Sequence, residues 1–254
     1  MLITEIFRSI QGEGTRAGLP CIFVRLTGCN LRCTWCDSAY AFYGGTKMSV
    51  EEVLQRVREL SRPGPVGGGD VKVIRLVQDK APDNSVRSEA ITNQNEIRLI
   101  EITGGEPLLQ PETIPLAEKL VSAGYTVMIE TSGERFIGKL PREVIKIVDV
   151  KCPDSGAAET FDFANLEELG QQDEIKFVIA SRRDYEFARE FTARHELARK
   201  VHQVIFSPAF PDPAGTWPGL EARELAEWIL ADGVSVRLGL QLHKFIWDPA
   251  MHGV

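Results

Sequence analysis

The chain has 254 residues, 43% of them hydrophobic and 26% charged, with a formal net charge of −7, a composition ordinary for a globular protein with one substantial core. The acidic balance argues against a nucleic-acid partner. No apolar run approaches a membrane span, and the first residues lack the basic and apolar regions of a secretory signal.

In chain order, Cys21-Ile22-Phe23-Val24-Arg25-Leu26 reads as the first strand. Ser49-Val50-Glu51-Glu52 is a capping-box pattern and predicts a helix to about Leu60. Residues 97–103 predict a strand running into Gly104-Gly105-Glu106-Pro107, and residues 114–123 a helix closed by Gly124. Further strands are predicted over 125–130, 144–150, 175–180, 201–206 and 234–242, and helices over 182–200 and 221–231. Strand-then-helix order of this kind gives a parallel sheet with crossover helices. The strands are too few for a closed eightfold barrel. The expected fold is therefore α/β, an incomplete (β/α) TIM-like barrel in a single domain over 1–254.

Residues 61–96 break the pattern. They open with Arg62-Pro63-Gly64-Pro65 and Gly67-Gly68-Gly69 and then turn mostly polar. Residues 71–77 alternate apolar and basic side chains, as a short edge strand or hairpin would, and 79–95 have a mobile loop's composition. The expectation is a surface insertion; a lid or a docking site for an electron donor is the other reading.

The most informative run is Gly28-Cys29-Asn30-Leu31-Arg32-Cys33-Thr34-Trp35-Cys36-Asp37. Thiolates spaced C-x3-C-x2-C can hold three irons of a [4Fe-4S] cluster and leave the fourth iron open for chemistry. A structural zinc site is the competing reading. It normally takes four ligands in two separated pairs, and neither Cys21 nor Cys152 belongs to a second pair. Five cysteines with three clustered point to a reducing compartment, hence a cytoplasmic location. Trp35 fits a loop shielded from solvent on one side.

This spacing resembles the radical S-adenosylmethionine superfamily. The resemblance implies that the open iron is chelated by the methionine moiety of S-adenosyl-L-methionine, whose reductive cleavage gives a 5′-deoxyadenosyl radical. Gly104-Gly105-Glu106-Pro107 follows a predicted strand and is similar to the superfamily's "GGE" motif. In parallel α/β folds, ligands gather at the carboxyl ends of strands. Arg25, the cysteine loop, Thr103 to Pro107 and Glu130-Thr131-Ser132-Gly133 all fall at such ends. Glu106 is expected to accept the methionine ammonium.

A more specific resemblance rests on Glu5-Ile6-Phe7-Arg8-Ser9-Ile10-Gln11-Gly12-Glu13-Gly14, on Cys36-Asp37-Ser38 and on Gln241-Leu242-His243-Lys244. Together these runs resemble the 7-carboxy-7-deazaguanine synthase family of the queuosine (7-deazapurine) pathway. That resemblance implies conversion of 6-carboxy-5,6,7,8-tetrahydropterin to 7-carboxy-7-deazaguanine with loss of ammonia and with S-adenosylmethionine regenerated. It also implies Mg2+, a reducing partner such as flavodoxin or ferredoxin, and a homodimer. Carried over residue by residue, Cys29, Cys33 and Cys36 match the cluster ligands. Trp35, Asp37, Gly104, Gly105, Glu106 and Lys151 match the cofactor-binding surroundings. Ile10, Gln11, Gly12, Arg25 and Thr103 match substrate contacts, with the Arg25 guanidinium suited to a carboxylate. Ser38 matches a magnesium ligand. His243 is expected near the substrate, with the Val254 carboxylate reaching its aminopyrimidine edge.

Two runs depart from the family. Where relatives carry Ser-Pro-Lys, this chain has Asp149-Val150-Lys151. Where some have Gln-Pro, it has Ser207-Pro208. Two rival functions stay open on the sequence. A glycyl-radical-enzyme activase shares the cysteine spacing but leaves Gln11 to Gly14 and His243-Lys244 without a role. A non-catalytic iron–sulfur or zinc protein predicts no S-adenosylmethionine cleavage.

Overall fold

The computed structural model describes residues 1–64, 96–211 and 216–254. The expected insertion at 61–96, with its edge strand and loop, lies outside the described residues except at its two ends.

A single sheet organises the chain, in the order β3-β1-β2-β4-β5-β6-β7-β8-β9 among the described residues. The strands are β1 (Leu2–Ile10), β2 (Pro20–Leu26), β3 (Thr46–Lys47), β4 (Leu99–Gly104), β5 (Thr126–Thr131), β6 (Ile145–Asp149), β7 (Glu174–Ile179), β8 (Gln203–Pro208) and β9 (Arg237–Leu238). From β2 to β9 each strand pairs in parallel with the next. β1 returns antiparallel against β2, with Ile6 opposite Val24, and β3 pairs antiparallel with β1. The end strands β3 and β9 do not pair with each other, so the barrel is incomplete, as the sequence predicts.

The helices cover the outside. α1 (Val50–Ser61) starts at Ser49, whose hydroxyl accepts from Glu52 N while the Glu52 carboxylate accepts from Ser49 N at 2.7 Å, completing the capping box. It buries Val53, Leu54, Val57 and Leu60, the stripe a 3.6-residue period places on one side. α2 (Thr113–Ser122) lies between β4 and β5 and ends at Gly124, whose φ of +82 suits glycine. α3 (Asn165–Glu168) precedes β7, α4 (Arg182–Arg194) and α5 (Leu197–Lys200) precede β8, and α6 (Ala222–Asp232) precedes β9. The main core, including Ile22, Val24, Ile100, Ile102, Leu116, Leu120, Phe177 and Phe206, lies between sheet and helices. Inside the curl, Phe7, Cys21, Phe23, Leu99, Met128, Ile145 and Ile147 form a smaller apolar plug.

Three elements differ from the sequence expectation. β1 precedes the strand predicted to be first. The helix predicted over 182–200 is broken at Glu196, which takes a left-handed φ of 49. The strand predicted over 234–242 shrinks to Arg237–Leu238, and His243–Ile246 forms the short helix α7.

Candidate active site

The carboxyl ends of β2, β4, β5, β6, β7 and β8 open into one cavity of about 450 Å3, lined by Arg25, Thr103, Thr131, Asp149, Val178 and Ser207 among others. The cysteine loop and the C-terminal residues form its remaining walls. Ile10, Gln11, Gly12, Cys29, Cys33, Trp35, Cys36, Asp37, Ser38, Gly104, Gly105, Lys151, His243 and Val254 all line it. Of the residues singled out from the sequence, Glu106 alone does not.

The cysteine loop is fixed by its backbone. Gly28 takes a φ of +102, its N–H donates to Ala41 O at 2.8 Å, and its carbonyl accepts from Glu106 N at 2.9 Å. That last bond ties the loop to the Gly-Gly turn after β4. A Cβ on Gly105 would stand 2.4 Å from Gly28 O and 2.6 Å from Cys29 Cβ, so only glycine permits the approach. The far side of the loop is held by Thr34 N, which donates to Ser155 O at 3.0 Å. Cys29, Cys33 and Cys36 face the cavity, whereas Cys21 and Cys152 are buried elsewhere in the core. Among the described residues no three His, Cys, Asp or Glu side chains draw together closely enough to hold a single metal ion. Three thiols around a shared cavity, without a fourth cysteine, are the donor set that a cluster with one open iron requires.

Glu106 stands behind the cavity wall rather than in it. It is fully buried; Oε1 accepts from Leu108 N at 3.0 Å and Thr131 Oγ1 at 2.8 Å, and Oε2 from Ser132 N at 2.9 Å and Ser132 Oγ at 2.7 Å. Both oxygens are thus bonded within the protein, and the carboxylate braces the β4 turn against the end of β5.

A charged network that the sequence did not reveal crosses the cavity floor. Lys176 Nζ donates to Glu13 at 2.8 Å and to Glu130, and lies 3.9 Å from Asp149. Burial alone would lower the Lys176 pKa, but Glu13, Glu130 and Asp149 outweigh it and hold the ammonium firmly charged. Lys151 Nζ donates to Asp149 Oδ2 at 2.7 Å and is also held charged, Asp149 outweighing burial. Asp149 Oδ1 is buried without a hydrogen-bond partner. Beside the network, burial and the Glu130 carboxylate push Glu101 up to about 8. Glu101, Glu130, Asp149 and Lys176 sit inside strands, where a lone charge in an apolar run reads as an exposed edge; only their positions near strand ends hinted otherwise.

Arg25 is set by partners on two elements. Its Nε donates to Glu5 Oε1 at 2.8 Å, the same oxygen that accepts from Tyr40 at 2.7 Å, and the guanidinium lies 5.7 Å from the Tyr40 ring. Tyr40 in turn stacks on His252 at 3.9 Å. The C-terminal residues knit the walls together. Gln241 Nε2 donates to Glu13 at 2.9 Å and to Asp37 at 3.0 Å, and Lys244 Nζ lies 3.2 Å from Asp37. Burial would raise the Asp37 pKa, but Lys244, Gln241 and Arg25 outweigh it and hold the carboxyl well below its usual range. A Cβ on Gly12 would meet His243 Nδ1 at 2.1 Å, so Gly12 lets the His243 ring sit flush against the loop. Burial lowers the His243 pKa, which keeps the imidazole neutral near pH 7. Ser38 Oγ lies 3.9 Å from Cys36 Sγ at the cavity wall.

No family model matches the chain. It is 50% identical to the 7-carboxy-7-deazaguanine synthase of Koribacter versatilis, over 100% of both chains. It is 37% identical to the synthase of the same description from Chlorobaculum tepidum, over 99% of this chain and 96% of that one. The crystal structure of QueE from Escherichia coli superposes with a TM-score of 0.65 at 24% identity, covering 95% of this chain and 94% of the other. A radical SAM methyltransferase from Sphaerobacter thermophilus gives a TM-score of 0.55 at 14% identity, covering 87% and 66%. At those identities the two structures establish the shared fold, the incomplete barrel. Half of all residues identical over the whole length establishes more: the chain belongs to the 7-carboxy-7-deazaguanine synthase family of radical S-adenosylmethionine enzymes, and that membership implies S-adenosylmethionine and an iron–sulfur cluster.

Proposed function

We propose that this cavity contracts 6-carboxy-5,6,7,8-tetrahydropterin to 7-carboxy-7-deazaguanine and ammonia. The observation that carries the reading is that three cluster-type thiols, with no fourth cysteine among them, share one cavity with Arg25 and the Gln11-Gly12 loop. The conversion is redox-neutral, because product and ammonia together account for every atom of the pterin. A [4Fe-4S] cluster on Cys29, Cys33 and Cys36 with S-adenosylmethionine would supply hydrogen abstraction and return.

The chain's own residues bind and orient. Arg25, with Nε held by Glu5, keeps its other N–H groups for the pterin carboxylate. Thr103, Ile10, Gln11 and His243 hold the heterocycle, and Val254 closes over it. Gly104 and Gly105 bring the backbone close to the methionine moiety, with Trp35, Asp37 and Lys151 around the rest of that cofactor. The buried ammonium of Lys176 against Glu130 can hold a proton for departing ammonia. The Ser38 hydroxyl, with waters and substrate oxygens, suits Mg2+, an ion that keeps much of its hydration. The reading extends to a single domain spanning the whole chain and a flavodoxin- or ferredoxin-type reductant. It also includes a homodimer in the cytoplasm, and a product destined for queuosine or another 7-deazapurine.

Anaerobically reconstituted protein tests this with reductant and S-adenosylmethionine, with and without the pterin and Mg2+. Turnover that needs both, and falls at least tenfold in Ser38→Ala at limiting Mg2+, is expected. S-adenosylmethionine cleavage indifferent to the pterin would move the substrate elsewhere and bring forward the activase reading.

A further inference from the structure

The cavity floor holds the carboxyl groups of Glu13, Glu101, Glu130 and Asp149 and the ammonium groups of Lys151 and Lys176, apart from Asp37 and Lys244 at the wall. The cations are not shared evenly. Glu13 and Glu130 both meet Lys176, and Asp149 meets Lys151 at 2.7 Å. Glu101 has a neutral partner instead, the side-chain amide of Gln11.

Its position makes that difference matter. Glu101 is 4% exposed. It stands in register with Phe23 of β2 and Met128 of β5, both part of the apolar plug under the cavity. A carboxylate between that plug and the acids Glu130 and Glu13 is short of water and has no ion-pair partner among the described residues, so the acid holds its proton. Gln11 is fixed at both ends of its amide: Oε1 accepts from Glu13 N at 3.0 Å, and Nε2 donates to Glu101 Oε2. The second oxygen, Oε1, belongs to a side chain that lines the cavity and has no partner among the described residues.

We propose that Glu101 is a substrate-reading residue: one carboxyl oxygen fixes the Gln11 amide, and the other donates its O–H to an acceptor atom of the bound heterocycle. This rests on the pterin reading above. The chemistry read is a ring carbonyl or imine nitrogen beside an anionic carboxylate. Ionised Glu101 could not donate, and would turn a negative charge toward an anionic substrate.

Charged and titratable groups face Glu101 from four neighbouring elements and the loop after β1. Burial and then Glu130 raise it to about 8. From the loop after β1, Glu13 sits below its ordinary value, Lys176 and the Gln241 hydrogen bond outweighing its burial. From β2, burial and the Glu101 charge push the Cys21 thiol well up. From β5, burial raises Glu130 and Lys176 opposes it; from β7, Lys176 stays charged. His243 on α7 is lowered by burial and is neutral throughout.

The experiment compares the reconstituted wild-type enzyme with Glu101→Gln and Glu101→Leu, measuring KM for the pterin and kcat from pH 6.5 to 9.5. Wild type is expected to lose substrate affinity, with KM rising at least fivefold above about pH 8. Glu101→Gln, which keeps a donor and an acceptor but cannot ionise, keeps its neutral-pH KM within about threefold of wild type and loses that rise. Glu101→Leu, which suits the apolar plug, raises KM at least tenfold while kcat falls less than threefold. An unchanged KM in Glu101→Leu, or the same pH profile in wild type and Glu101→Gln, overturns the proposal. Infrared difference spectra of wild type minus Glu101→Gln, taken without substrate, separate this from failure of the pterin reading. A carboxylic-acid carbonyl band at pH 7 that disappears by pH 9.5 is expected whether or not the pterin is the true substrate, and its absence overturns the proposal.

Discussion

Replacing Lys176 by methionine tests the electrostatics of the cavity floor. The side chain is 6% exposed and lies 2.8 Å from Glu13, in contact with Glu130 and 3.9 Å from Asp149. Methionine keeps most of the apolar stem and removes the charge that three acids face. Removing one partner of a buried pair costs about 3–5 kcal/mol, because the other charge is left uncompensated. For a chain of this size each kcal/mol shifts Tm by about 2–4 °C, so a fall on the order of 10 °C is expected in anaerobic calorimetry at pH 7. The pH dependence has a definite sign. Lys176 has a raised folded pKa, so its contribution is fully present below the unfolded lysine value and is lost as pH rises through the folded one. As pH falls, Glu130, raised by burial, takes up a proton and no longer needs the Lys176 charge, so the gap between wild type and variant narrows. A variant within 2 °C of wild type at pH 7, or a gap that widens in acid, refutes this account of the floor.

Other substitutions probe other joints. Gly105→Ala drives a Cβ into Gly28 O and Cys29, so reconstituted iron per chain should fall by more than half, read by iron assay and absorbance. Glu106→Ala strips four hydrogen bonds from buried or half-buried donors at the ends of β4 and β5 and should cost on the order of 3–5 kcal/mol, read as a loss of Tm in the calorimeter. Glu106→Gln should lose less, since an amide oxygen still accepts two of the four bonds. Ser49→Ala removes the cap of α1 for about 1 kcal/mol, visible as a 2–4 °C fall in Tm with activity unchanged.

Local chemistry was legible in the sequence; long-range partnerships were not. The Ser49 capping box, the glycine closing α2 and the Gly-Gly turn after β4 depend on neighbours a few residues away, and each stands where the pattern puts it. The cysteine loop was legible for the same reason, and its cavity gathers all but one of the residues read from the sequence. The bracing bonds of Glu106 were hidden because three of its four donors come from Thr131 and Ser132 at the end of β5, 25 and 26 residues on, and nothing in Gly-Gly-Glu-Pro signals them. Lys176 binds acids 46 and 163 residues away. Such a lysine inside a strand looks like a solvated face until the sheet curls around it. β1 was hidden because its residues drew attention as a motif, although Ile6 and Phe7 pack on opposite sides as a strand's alternation requires. At the other end, residues 234–242 have strand-like composition, but Gly239 and the fold of Gln241 and Lys244 onto Asp37 leave a two-residue strand.

The central claim is that this cavity carries out radical contraction of a carboxylated pterin. Its most direct test is mass-spectrometric detection of 7-carboxy-7-deazaguanine from anaerobically reconstituted protein supplied with reductant, S-adenosylmethionine, Mg2+ and 6-carboxy-5,6,7,8-tetrahydropterin. Product and ammonia in equal amounts are expected from wild type and neither from Cys33→Ala. S-adenosylmethionine cleavage without that product, or product from the cysteine variant, would contradict it.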